Sequence, residues 1–159
     1  MTQVPPPPHS RARPIIASLR PLTDALSPYA EPMLRVATGL LLVPHGAQKL
    51  FGWFGGPGLA AAGQAFATKM GLPASFALLA GLIEFFGGLM LAAGLLTRPV
   101  AALAAAIMAV AIFAVHLPNG FFWNAGGFEY PLLWGVAALY FLLRGGGRFS
   151  LDAVLGREF

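Results

Sequence analysis

The chain has 159 residues, of which 57% are hydrophobic and only 10% charged, with a formal net charge of +4. Soluble domains run at about 45–50% apolar and about 25% charged, so this composition excludes an ordinary water-soluble domain and suits one membrane-embedded domain. There is no cysteine, which excludes disulfides, thiol relays, cysteine nucleophiles and cysteine-held iron–sulfur clusters within this chain; redox chemistry here needs a bound cofactor, a quinone or a partner protein.

Residues 1–30 differ from the rest. Pro5–Pro8 are consecutive, Pro14, Pro21 and Pro28 follow, and no long apolar stretch of signal-peptide type occurs. Prolines disrupt helix, so this stretch is expected to be a mostly disordered, proline-rich cytoplasmic arm. Arg11, Arg13 and Arg20 suit anionic lipid heads, and Ile15, Ile16, Leu19, Leu22 and Leu26 suit a membrane surface. A membrane domain is expected over 31–152, with a short cytoplasmic tail at 153–159.

The first predicted span covers Met33–Leu50, the second Ala74–Leu96, the third Pro99–His116 and the fourth, short by hydropathy, Tyr130–Leu143. Between spans one and two, Leu59, Ala62, Phe66 and Met70 recur at helical spacing with Gln64 and Lys69 off the stripe. This predicts an interfacial amphipathic helix ended by Gly71 and Pro73. The fold class expected is all-α, a four-helix transmembrane bundle with that interfacial helix. The loop 117–129 is aromatic and glycine-rich and is expected to lie in the interface as a plug or short re-entrant turn. Span three is rich in alanine, which suits a central position. Gly81, Glu84, Gly88 and Ala92 share one face of span two, where small residues admit a close neighbour.

Arginine and lysine set the orientation. Arg11, Arg13, Arg20 and Arg35 precede or open span one, Arg98 lies between spans two and three, and Arg144, Arg148 and Arg157 follow span four. The two other loops hold only Lys49 and Lys69 at their edges. Both termini are therefore expected in the cytoplasm, with 51–73 and 117–129 facing outward. Membrane orientation explains these bases better than nucleic acid, and no nucleic-acid partner is expected.

Glu84 is the only charge in the run from Ala74 to Leu96. A carboxylate at mid-membrane costs roughly 2.5–3.5 kcal/mol on insertion scales, so it is expected to face a partner or a wet cavity. His45 and Lys49 are one turn apart on span one, with Pro44 able to bend the helix just before them. His116 closes span three and Glu129 opens span four on the same side. These five residues predict a polar pocket in the outer half, with Glu84 and His45 as the proton-handling, catalytic pair. Lys49, His116, Asn119 and Glu129 join as ligand-binding residues, and Trp53, Phe122 and Trp123 as aromatic walls. A structural reading stays open beside it: Lys49 snorkelling, His45 and Glu84 as interhelical hydrogen-bonding glue, and the tryptophans as interface anchors. No HxxxH or ExxH spacing occurs, so no metal site is expected.

The segment Leu34–Gly52 (LRVATGLLLVPHGAQKLFG) resembles the opening of the DoxX family. Gly81–Gly88 (GLIEFFGG), Gly94–Arg98 (GLLTR), His116 with Asn119–Phe122, Glu129–Tyr130 and the ending Gly147–Asp152 (GRFSLD) are similar to its later segments. The resemblance spans about Leu34–Asp152. It implies a small four-helix protein of the bacterial inner membrane, of a kind often described as an oxidoreductase or quinone-linked oxidoreductase subunit. The expected function is thus an oxidoreductase component whose outer pocket binds a quinone or small aromatic, with no cofactor identifiable beyond that quinone. Its expected partners are the lipid bilayer, a redox partner protein and a second copy of the chain. The alternatives are a non-catalytic membrane anchor or scaffold for a soluble partner docking on the arm, and a small-solute carrier.

Overall fold

The computed structural model describes residues 15–157, so the Pro5–Pro8 run, Arg11 and Arg13 lie outside the described residues. The chain divides into two compact units, Met1–Ala30 and Glu31–Phe159. Helix α1 covers Arg20–Phe51 after a 3-10 turn at Ala17–Leu19. Then come a 3-10 turn at Trp53–Gly55, α2 at Gly58–Met70, α3 at Phe76–Ala93, α4 at Thr97–Asn119, α5 at Glu129–Arg144 and the short α6 at Leu151–Val154. The described residues contain no strand.

In the first unit the expectation of disorder through residue 30 is corrected, because α1 begins at Arg20. Local bonding explains how helix tolerates the prolines. Pro21 falls in the first turn, where an N–H has no helical partner in any case. Pro28 deprives the Asp24 carbonyl of its amide donor, and the Ser27 hydroxyl donates to that same carbonyl at 3.3 Å. Thr23 donates similarly to Arg20 O at 3.0 Å.

Two helices are long and apolar enough to cross a membrane, Phe76–Ala93 and Thr97–Asn119. They correspond to the second and third predicted spans. The α1 and α5 helices form where the first and fourth were expected but do not meet the same length and hydropathy criterion; α5 has only 16 residues. The helix expected in 51–73 forms, and Gly71 ends it at φ +65°.

In the second unit α1 lies against α3 through small residues. A Cβ on Gly39 would run into Gly88 O and Ala92 N, and one on Gly46 would meet Gly81 O at 2.7 Å. The predicted small face of α3 is therefore its contact with α1. Alanine-rich α4 packs on both α3 and α5. Leu42, Ala80, Ala104, Ile107, Met108 and Ala138 make one core cluster from four helices, and Leu91, Val100, Ala101 and Phe141 make a second. Gly39→Val is expected to force α1 off α3 and destabilise the fold by about 1–3 kcal/mol. The readout is a lowered thermal midpoint in detergent. Gly87→Ala serves as the tolerated control, since its Cβ would meet nothing closer than a Val100 methyl at 3.5 Å.

A polar junction ties the far ends of these helices together. Helix ends leave carbonyls and amides without intrahelical partners. At the α3 end, Gly94 adopts φ +71°, with Gly94 N donating to Leu91 O and Leu95 N to Met90 O, a Schellman closure. Arg35, 2% exposed, donates through Nη1 to Leu91 O at 2.9 Å and Ala92 O at 2.6 Å, and through Nη2 to Phe149 O at 2.6 Å. At the α4 start, Asp152 accepts from Leu96 N at 2.8 Å, Thr97 N at 2.9 Å and Thr97 Oγ1 at 2.7 Å. One buried arginine thus serves a helix C-terminus and one buried aspartate a helix N-terminus, the charges each end favours.

Candidate functional site

At the opposite end of α3 from this junction, a cavity of about 320 Å³ opens between helices. The α1 helix contributes Leu42, His45 and Lys49; α3 contributes Phe76, Ala80 and Glu84; α4 contributes Ile107, Met108, Val110, Ala111, Val115 and His116. Tyr130, Pro131 and Trp134 of α5, Trp123, Gly126 and Gly127 of the preceding loop, and Phe66 and Met70 of α2 complete the wall. The lining is mainly apolar and aromatic with a few convergent polar groups, the ordinary character of a small-molecule site.

Two helices bring polar side chains to this wall where their winding loosens. The segment Ile83–Gly87 is π-helical and carries Glu84; Ala111–His116 is π-helical and ends on His116. Such single-turn π segments inside α-helices recur at functional sites.

Glu84 is buried at 6% exposure. Lys49 Nζ donates to Glu84 Oε2 at 2.6 Å and to His45 O at 3.4 Å. The partner expected for Glu84 is thus present, and the i,i+4 placement of His45 and Lys49 delivers both to one wall. The ring of His45 is exposed and meets Trp134 edge-on, with centroids 5.8 Å apart. His116 Nδ1 lies 2.6 Å from Gly126 O. Trp123 stacks on Tyr130 at 5.5 Å, and Tyr130 meets Trp134 edge-on at 5.9 Å, so three rings run continuously along the wall.

Of the nine residues predicted for the site, His45, Lys49, Glu84, His116 and Trp123 line the cavity. Asn119, Glu129, Trp53 and Phe122 do not. Asn119 Nδ2 donates to Gly126 O at 3.2 Å, and Glu129 Oε2 accepts from Trp123 N at 3.1 Å. These two shape the loop that carries Trp123. Trp53 packs on Phe51 and Phe85, and Phe122 on Phe121, both outside the cavity wall. The aromatic loop 117–129 is closed on itself by Phe128 N to Gly120 O and Glu129 N to Phe121 O.

Sequence reasoning missed Tyr130, Trp134, Phe66 and Met70. Each pair is an i,i+4 couple that shares a helix face, but that spacing alone does not say what the face meets. Tyr130 and Trp134 sit in a run apolar on every side, where no periodicity marks the inward face. Phe66 and Met70 do mark a stripe, but a stripe that meets protein looks the same in sequence as one that meets lipid.

The model of the DoxX family matches residues 32–117. A Haemophilus influenzae chain named "Uncharacterized protein" is 33% identical over 132 residues, covering 79% of this chain and 90% of its own length. A Bacillus subtilis chain named "Putative oxidoreductase CatD" is 34% identical over 120 residues, covering 76% of this chain and 82% of its own. No solved structure matches this chain significantly. The match to more than half of the chain, together with relatives similar over three quarters of it, means that the chain belongs to the DoxX family.

Proposed function

We propose that this DoxX chain is a multi-pass protein of the bacterial inner membrane and a component of a quinone-linked oxidoreductase, whose cavity takes a quinone or small aromatic. The Lys49–Glu84 ion pair in the wall of an aromatic-lined cavity carries this reading. A buried ion pair is a weak device for stability, and intramembrane ionisable groups mark functional paths. The Bacillus subtilis relative's name is in keeping with redox chemistry.

In this reading α1, α3, α4 and α5 are the four spans of a bundle and α2 lies at the outer interface, its Phe66–Met70 side over the cavity. At 16 residues α5 reaches about 24 Å, so Tyr130 and Arg144 at its ends complete the crossing in the headgroup layers. Both termini are cytoplasmic, as the arginines at 98, 144, 148 and 157 require under the positive-inside rule. The rings of Trp123, Tyr130 and Trp134 hold a flat ligand by stacking. Reducing a quinone to its quinol takes two electrons, supplied by a redox partner protein, and two protons, passed in through His45 and Glu84. Lys49 pairs with Glu84 and steadies charge on the ligand oxygen.

The test is an anaerobic titration of the purified full chain in detergent with decylubiquinol, followed by tryptophan fluorescence. Saturable quenching is expected, weakened about tenfold or more in Glu84→Gln and His45→Ala, because each removes a polar contact worth roughly 1.5 kcal/mol or more to a charged or desolvated group. Absence of binding, or binding that both variants leave unchanged, would overturn the proposal.

A further inference from the structure

Resting on the reading of the cavity as an aromatic site, we infer that it recognises the hydroxylated ring, a phenol or hydroquinone, through two hydrogen-bond acceptors, Glu84 Oε1 and His116 Nε2. The first acceptor follows from the ion pair. Lys49 Nζ occupies Glu84 Oε2, and among the described residues Oε1 receives no hydrogen bond. The residue is 94% buried in the cavity wall, being 6% exposed. Oε1 itself keeps some accessible surface, so a donor on a bound ring can reach it.

The second acceptor follows from the loop. The 2.6 Å neighbour of His116 Nδ1 is the carbonyl of Gly126, which only accepts. The proton therefore sits on Nδ1, an assignment made from the acceptor's chemistry. In the neutral ring Nε2 then carries a lone pair, and it has no donor among the described residues. Asn119 strengthens the arrangement by donating to the same carbonyl, which holds the loop for the imidazole. Glu84 lies on α3 and His116 on α4, and both line the same cavity. A ring with one O–H meets one of them, and a ring with two opposed O–H groups meets both. An oxidised diketone brings acceptors to acceptors.

The experiment uses the purified full chain and three ring probes of similar shape: hydroquinone, 4-methoxyphenol and 1,4-dimethoxybenzene, titrated anaerobically. Affinity is expected to rise about two- to tenfold with each hydroxyl, the worth of one hydrogen bond. Two variants separate recognition from loop anchoring. His116→Asn places an amide N–H near the position of Nδ1 and can keep the bond to Gly126 O, but it has no counterpart of Nε2. It is expected to abolish the step from 4-methoxyphenol to hydroquinone. His116→Gln reaches the position of Nε2 with its amide oxygen and is expected to retain that step. Because each comparison is a ratio within one variant, a uniform loss of affinity does not mimic the effect. Equal binding of the three probes, a second step that survives in His116→Asn, or tighter binding of duroquinone than of durohydroquinone would overturn the inference while leaving an aromatic site. Binding of no ring compound at all would overturn the aromatic site and the inference together.

Discussion

Glu84→Leu is expected to destabilise the protein by about 3 kcal/mol or more, because it leaves the Lys49 ammonium in an apolar wall without its counter-charge. Lys49→Met should act in the same direction and at least as strongly, since it orphans the more buried partner: the Glu84 side chain is 8% exposed and the Lys49 side chain 21%. The double variant Glu84→Leu with Lys49→Met should recover much of the loss, since replacing a buried pair by apolar groups of similar volume is often neutral or better. Thermal midpoints of the four proteins in detergent form the cycle. Stability that is unchanged in Glu84→Leu would mean that Lys49 simply turns to water. A double variant that is stable yet no longer binds ring compounds would separate the ion pair's part in function from any part in holding the fold.

The second large effect lies at the other end of the molecule. Asp152→Ala should cost about 3 kcal/mol or more, since it strips three donors at the α4 start and one counter-charge from buried Arg35. Leu96, held at φ +49° just before α4, loses its bond to the carboxylate in the same variant. Burial pushes the Asp152 carboxyl up. The Thr97 hydroxyl, the amides of Thr97 and Leu96 and the Arg35 guanidinium outweigh it, so the group sits below the ordinary carboxylate range. A depressed folded-state value means stability that is present in full above the unfolded value of about 3.9 and is lost as pH falls through the folded value. Unfolding midpoints measured downward from pH 5 should therefore fall more steeply in the parent protein than in Asp152→Asn. The asparagine variant should already be weaker at neutral pH, and its deficit should shrink in acid. Parallel curves would show that Asp152 carries no such linkage.

How much of this was legible beforehand differs by residue. Glu84 announced itself, because a lone charge in an apolar run needs a partner whatever the fold. Lys49 and His45 shared a helical turn, and that periodicity is enough to place them on one wall. His116 was on the right side, but its tautomer depends on a carbonyl ten residues later, which only the closed loop delivers. Trp53 and Phe122 looked like wall residues because aromatic composition does not say which neighbour a ring packs on. The helix from Arg20 to Ala30 is hidden in the sequence because proline counts against helix residue by residue. The hydroxyl that satisfies the carbonyl Pro28 leaves open is a local contact that such counting omits.

By itself the sequence determined the solvent class, the all-helical architecture, the DoxX resemblance and the identity of the charged residues that need each other. These follow from composition and from periods of one helical turn, which are local properties of the chain. Tertiary structure alone decided which apolar faces look inward, that α2 covers a cavity and that Arg35 and Asp152 close helix ends more than fifty residues away in the chain. A helix that is apolar all round has no preferred face until a neighbour supplies one, and an unfilled amide or carbonyl at a helix end accepts whatever partner the fold brings within reach.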